Sequence, residues 1–326
     1  MKISRYFLAV ALVIILLMTF ASCGDSGGEE TSAPVVYYTV QFDSNGGSDV
    51  PSVRVVKDGY AAEPSAPVRD GFIFDGWTNN SVDWDFDGDK VKGDMTLTAK
   101  WVDAEAIYNF VPVDGGIHIT EIKRELTVMR IPAKMNGKTV TGIGDGAFED
   151  ALSEGITQIV LPETVTHVGK NAFANCAGIE IVIEGAITSL GEGAFMGCDA
   201  LTSVALGEGL TTIPFNAFSG CTTLGSVRIP ESVTTICENA FEECSALSSV
   251  MLHSTTSVIE DAAFRFCDAL TAVYYYGTAT DFGEVSIASG NDSIKGARLY
   301  LYSETEPVGN GDYWYLDSKG RVRVWK

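Results

Sequence analysis

The chain has 326 residues, 43 acidic against 22 basic side chains, a formal net charge of −21 and 46% hydrophobic residues. That length leaves room for two or three domains and that apolar content for a substantial core. So acidic a surface repels a phosphate backbone, which removes nucleic acid from the expected partners.

The first 22 residues read as an export signal. Lys2 and Arg5 form a basic head, and FLAVALVIILLMTF over 7–20 is an unbroken apolar run. It is too short for a comfortable permanent span and has the length of a signal-peptide core. Ala21, Ser22, Cys23 and Gly24 come next. Small residues before a lone cysteine resemble the bacterial lipoprotein cleavage box, with Phe20 where leucine is usual. The resemblance implies that Cys23 becomes a lipid-bearing N-terminus. Secretion after a nearby cut, or an uncleaved anchor, are the alternatives. Residues 23–37 contain GDSGGEETSAPV, which has no apolar pattern and is expected to be a flexible acidic tether.

Residues 38–102 form a separate unit. Val40 and Phe42 alternate before the turn Asn45-Gly46-Gly47, Phe72, Phe74 and Trp77 come after it, and Met95, Leu97, Ala99 and Trp101 alternate at its end. Short strands around a few aromatics predict a small β domain. Within it, DWDFDGDKVKGD over 83–94 sets Asp83, Asp85, Asp87 and Asp94 at calcium-loop spacing, with Gly88 at the turn. Against a metal site stand Lys90 at a normally apolar position and the lack of flanking amphipathic helices. Trp84 and Phe86 alternate with the acids, so an edge strand with carboxylates outward is expected.

Residues 103–128 are expected to form an N-terminal cap, with Ile117, Ile119, Ile122 and Leu126 in a pair of strands. From 129 to 278 the chain repeats itself. Ala-Phe recurs with its phenylalanines at Phe148, Phe173, Phe195, Phe218, Phe241 and Phe264, and a cysteine stands three residues on at Cys176, Cys198, Cys221, Cys244 and Cys267. A period of about 23 residues predicts a solenoid whose units cannot bury their own apolar faces alone. In the copy at 201–221, Val204 and Leu206 read as a strand, GEG as a turn, Leu210 and Ile213 as an inward pair, and Phe218 to Cys221 as one helical turn. The phenylalanines should then stack as a ladder, spaced roughly like paired strands at about 4.8 Å. The cysteines read as buried free thiols, with rung-to-rung disulfides as the alternative. Cys237 lies off this ladder. No histidine joins it, since His118, His167 and His253 all fall elsewhere, so no metal and no other cofactor is expected.

These copies, LTSVALGEGLTTIPFNAFSGC at 201–221 and ITQIVLPETVTHVGKNAFANC at 156–176, resemble the BspA-like leucine-rich repeats of bacterial surface proteins. Gly207, Glu184 and His253 stand where that pattern commonly has proline. The unit at 38–102 is similar to the Listeria–Bacteroides, or internalin B-repeat, module, through Asn45, Gly46, Gly47, Gly71, Gly76, Trp77 and Trp101. The resemblances imply a mainly β chain, a short leucine-rich-repeat solenoid preceded by a small β-grasp-like domain. They also imply surface display and adhesion, and bring no catalytic residues.

Residues 279–326 are expected to close the solenoid, with a strand at 297–303 and a hairpin over 313–325. No nucleophile, base and acid converge anywhere in the sequence, so an enzyme is not expected. The expected role is a monomeric, exported, lipid-anchored surface module that binds an unknown extracellular protein, peptide or glycan, touching membrane only through its lipid. A display element or spacer without a specific ligand is the alternative. Arg228 and Met251 on the strand face and Tyr274, Tyr276 and Tyr302 at the C-terminal end are the candidate ligand residues. Cys23→Ser should move the protein from the membrane to the soluble fraction; retention in membranes would contradict the lipid anchor.

Overall fold

The computed structural model describes residues 34–150, 156–307 and 311–325. The signal, Cys23 and most of the tether lie outside the described residues.

In the N-terminal unit the strands Tyr37–Asp43, Val53–Val56, Phe72–Asn79, Val82–Asp83 and Met95–Asp103 form one sheet. Its first and last long strands run parallel, pairing Val40 with Met95 and Phe42 with Leu97. Val40, Phe42, Trp77, Leu97 and Ala99 make its core. The asparagine–glycine–glycine turn exists for Trp101. A Cβ on Gly47 would sit 2.6 Å from the indole, and the indole N–H donates to the Ser44 carbonyl at 3.0 Å.

The edge strand expected in the acidic run 83–94 forms only over Val82–Asp83, and the chain then turns. The Asp87 N–H donates to the Asp85 carboxylate at 3.0 Å and the Asp85 N–H to that of Asp89 at 3.0 Å. Aspartate bonding its own backbone two residues on favours a turn over a ladder.

The unit is less separate than its sequence suggests. Ile73 and Val102 pack with the solenoid's core rather than their own. The Gly71 N–H donates to the Lys134 carbonyl at 3.1 Å, and the Gly137 N–H to the Asp70 carboxylate at 3.2 Å.

The solenoid opens with a hairpin, Tyr108–Val113 against Gly116–Ile122; its first strand has no counterpart in the sequence expectation. Two rows of parallel strands then coil upward. One row holds Val128–Arg130, Gln158–Leu161 and Glu180–Ile183, then Ser226–Arg228, Ser249–His253, Ala272–Tyr276, Arg298–Tyr302 and Tyr313–Leu316. The other runs from Gly116–Ile122 through Lys138–Ile143 and His167–Val168 to Ser189–Leu190, then from Thr212–Ile213 to Ser286–Ile287. The coiling continues past residue 278, and only Val322–Val324 turns back antiparallel to close it.

Both rows break at the fourth copy, where the expected strand at Val204 and Leu206 is missing. The third copy is one residue short, with 22 rather than 23 between Phe173 and Phe195, and the fourth has Gly207-Glu208-Gly209. The segment does not pair with Glu180–Ile183, and Leu206 meets only Ile187, in an isolated bridge.

The aromatic ladder crosses that break. Successive rings from Phe148 to Phe264 stack with centroids 5.1, 5.3, 5.6, 5.2 and 5.2 Å apart, the widest step falling between Phe195 and Phe218. Each Phe N–H from Phe148 to Phe241 donates to the carbonyl of the next rung's alanine, as Phe173 to Ala194 at 2.8 Å. Each ladder thiol donates to the previous rung's Phe carbonyl, Cys198 to Phe173 at 3.0 Å and Cys244 to Phe218 at 3.1 Å.

Every one of these turns is bracketed by two residues of positive φ, four apart: Gly146 and Asp150, Asn171 and Asn175, Gly193 and Gly197, Asn216 and Gly220, Asn239 and Glu243, Ala262 and Phe266. Glycine and asparagine suit that conformation; alanine costs about 1–2 kcal/mol there. Ala262→Gly should therefore raise stability by about 1 kcal/mol, whereas Phe218→Ala should lower it by about 3–5 kcal/mol. Urea unfolding of both variants checks this pair; a stabilised Phe218→Ala or a destabilised Ala262→Gly would contradict it.

Candidate functional surface

Strand register assembles the candidate residues. Arg228 stands beside Met251, Met251 beside Tyr274 and Tyr274 beside Tyr300 on four neighbouring strands. Two residues further along, His253 stands beside Tyr276, and Tyr302 beside Trp314. Side chains alternate across a strand, so the inward set is Val227, Val250, Leu252, Val273 and Tyr275, all in or facing the core. The outward set forms one aromatic surface at the C-terminal end.

Trp314 organises it. The indole is fully buried yet lies on the outer face, edge-on to Tyr274, Tyr276 and Tyr302 at 5.6, 4.7 and 5.0 Å. Its N–H donates to the Tyr275 carbonyl at 3.4 Å. Tyr274, Tyr276, Tyr300 and Tyr302 are half-buried around it and Arg228 is exposed. Met251, expected on an open strand face, is only 9% exposed, because the neighbouring side chains close over it. The sequence reading missed His253, Tyr300 and Trp314. Its signal was available for the first, since His253 replaces the usual proline, and for Tyr300 through the 26-residue step from Tyr274.

Burial pushes the phenol pKa of Tyr274 and Tyr276 up from 10.0. Burial, then the Arg228 charge, holds the His253 imidazole below 6.5, so it is neutral at physiological pH. Its Nε2 is enclosed without a hydrogen-bond partner. At the closing hairpin, Asp317 takes the backbone N–H of Arg321 and the guanidinium groups of Arg321 and Arg323, which hold its carboxyl far below the usual range.

The ladder thiols are shielded rather than reactive. Burial pushes Cys221 and Cys267 up to about 12, so each of these two stays a thiol rather than a thiolate. The acidic run at 83–94 does not converge either. Asp83 pairs with Lys100 at 2.9 Å, Asp94 accepts the Thr39 N–H at 2.7 Å, and Asp85 serves its own turn. Among the described residues no cluster of three or more His, Cys, Asp or Glu could hold a metal ion. A second pair escaped the sequence reading: His118 and His167 stack at 4.6 Å across Gly142, where a Cβ would meet His118 Nε2 at 2.6 Å.

The pattern of the BspA type leucine rich repeat region matches residues 125–216 and 188–295, in six copies. The chain belongs to this family of leucine-rich repeat proteins. The Listeria-Bacteroides repeat domain matches residues 38–100. A leucine rich cell surface protein from Faecalibacterium prausnitzii is similar in structure, with TM-score 0.51 and 26% identity over 67% of this chain and 59% of that one. A leucine rich repeat protein of T. pallidum is 25% identical, with TM-score 0.47 over 58% of this chain and 85% of its own. Two proteins of Evansella cellulosilytica named as membrane proteins are 38% and 40% identical over 91 residues, 27% of this chain. The chain spans only 14% and 10% of their lengths. Among the described residues no helix is long and apolar enough to cross a membrane.

The histidines give a pH dependence. Burial, then the His167 charge, holds the His118 ring below 6.5, as burial and Arg228 hold His253. The unfolded chain therefore takes up protons first as pH falls through 6.5, and the stability these neutral rings contribute above it is lost. The urea midpoint should fall between about pH 7.5 and about pH 5.5, and fall less in a His118→Gln, His253→Gln variant. An identical fall in the variant would contradict the assignment.

Proposed function

We propose that this surface-protein module is exported, lipid-anchored through Cys23, and non-catalytic, and that it binds an extracellular protein, peptide or glycan through the surface of Arg228, Met251, His253, Tyr274, Tyr276 and Tyr302. The observation that carries the reading is the register that gathers these residues on one outer face. Outward positions such as Thr212, Thr235 and Ser226 are short and polar. Half-buried tyrosines around a buried tryptophan, bordered by an exposed arginine, have the composition of interaction hot spots. Surface display is the setting of the family, and a weak adhesive contact suits a face only a few rungs wide.

Binding of the chain from residue 24 to arrayed extracellular matrix proteins and glycans tests this. A ligand should be retained by the native chain and lost in Arg228→Glu and Tyr274→Ala variants of unchanged thermal midpoint. Absence of any ligand would favour a spacer that only displays other groups; binding indifferent to both variants would place the contact elsewhere.

A further inference from the structure

Resting on the reading above, we infer that the ligand of the aromatic surface is an acidic peptide segment rather than a sugar chain. Each of the stacked rings spends a face on its neighbour in the row. His253 lies on Tyr276 with centroids 4.4 Å apart and planes 16° from parallel, and Tyr274 lies on Tyr300 at 5.3 Å and 26°. Trp314, the ring best suited to hold a sugar face, is fully buried beneath the tyrosines. Rings stacked along a row of strands leave edges and phenol hydroxyls, rather than faces, for a ligand to meet.

Edges carry the positive end of an aromatic quadrupole and hydroxyls donate hydrogen bonds. Both favour an anion. Among the described residues the hydroxyls of Tyr274, Tyr276 and Tyr302 make no hydrogen bond within the chain, and Arg228 makes no ion pair, although the chain holds 43 acidic side chains. Arg228 is close enough to act on both His253 and Tyr276. His253, only 9% exposed and with its Nε2 enclosed, lies beneath them and offers a ligand no donor. A guanidinium and phenol donors in one patch form a receptor for carboxylates.

Two features limit where the acid goes. Glu208 and Glu231 also face His253, and Glu208 is held there by the N–H groups of Glu231 at 3.3 Å and Ser232 at 3.1 Å. They repel a carboxylate on that flank, so the acid is received on the tyrosine side of Arg228. The net charge of −21 opposes approach, but screening over about 8 Å at physiological salt confines that opposition.

Fluorescence anisotropy of the chain from residue 24, at physiological salt, distinguishes the ligands. The probes are a labelled Glu-Gly repeat peptide and a labelled hyaluronan oligosaccharide, which carries carboxylates on sugar rings. The peptide should bind, and Arg228→Gln should weaken it about tenfold. Tyr276→Phe and Tyr302→Phe, which keep the rings, should each weaken it severalfold, while Lys138→Gln on a distant strand should leave it unchanged. Binding of the oligosaccharide but not the peptide, or peptide binding indifferent to Arg228→Gln, would overturn the inference. If an arrayed ligand is lost in Tyr274→Ala while the acidic peptide is ignored, only the acid preference fails; if nothing binds in either experiment, the interaction surface fails with it.

Discussion

The structure depends on how each buried phenylalanine turn satisfies its own backbone. The rings supply apolar burial, but stacking alone would leave a row of peptide groups sealed from water. An unpaired buried peptide group costs as much as a lost hydrogen bond. Here the N–H of Phe173 is taken by Ala194 and its carbonyl by the Cys198 thiol, both from the next rung. The alanine beside each ring is buried, and its backbone carbonyl takes the N–H of the preceding rung's phenylalanine. Cysteine is required three residues on because the site needs a small apolar side chain that still carries a donor. A rung-to-rung disulfide would remove that donor.

This arrangement explains how the solenoid tolerates a fault in its sheets. Both strand rows stop at the fourth copy, yet Phe195 and Phe218 still stack, and the Phe195 N–H still reaches Ala217 at 2.9 Å. The turn side carries continuity where the strand side loses it. The two blocks then differ in use. The first meets the N-terminal domain through Ile73, Lys134 and Gly137. The second ends in the aromatic surface, built when polar outward rungs give way to Met251, Tyr274 and Tyr300.

Much of this was legible because the repeat is a one-dimensional signal. The spacing of Ala-Phe placed every ring, and Val273 with Tyr275 and Leu299 with Leu301 placed the closing strands. The failures share a cause: they depend on registration between turns. The segment at Val204 and Leu206 alternates as a strand should, yet Leu206 makes only an isolated bridge, to Ile187. His118 and His167 meet only because Gly142 leaves a gap between their strands. Trp314 is invisible as an organiser until the last strand places it over three tyrosines 12 to 40 residues earlier. In the acidic run, spacing suggested a strand or a calcium loop, but aspartate's bonds to its own backbone set a turn instead. The asparagines before Ala-Phe were plain in the sequence, although their left-handed conformation was not.

The most direct measurement of the central claim is residue-resolved hydrogen exchange on the native chain. If the phenylalanine turns couple the blocks, the N–H groups of Phe173, Phe195, Phe218 and Phe241 should share one high protection, while 202–206 exchange far faster. Protection of Phe218 and Phe241 that differs from that of Phe173 under mild denaturant, with Phe195 exchanging as readily as 202–206, would show two blocks opening independently and contradict the account.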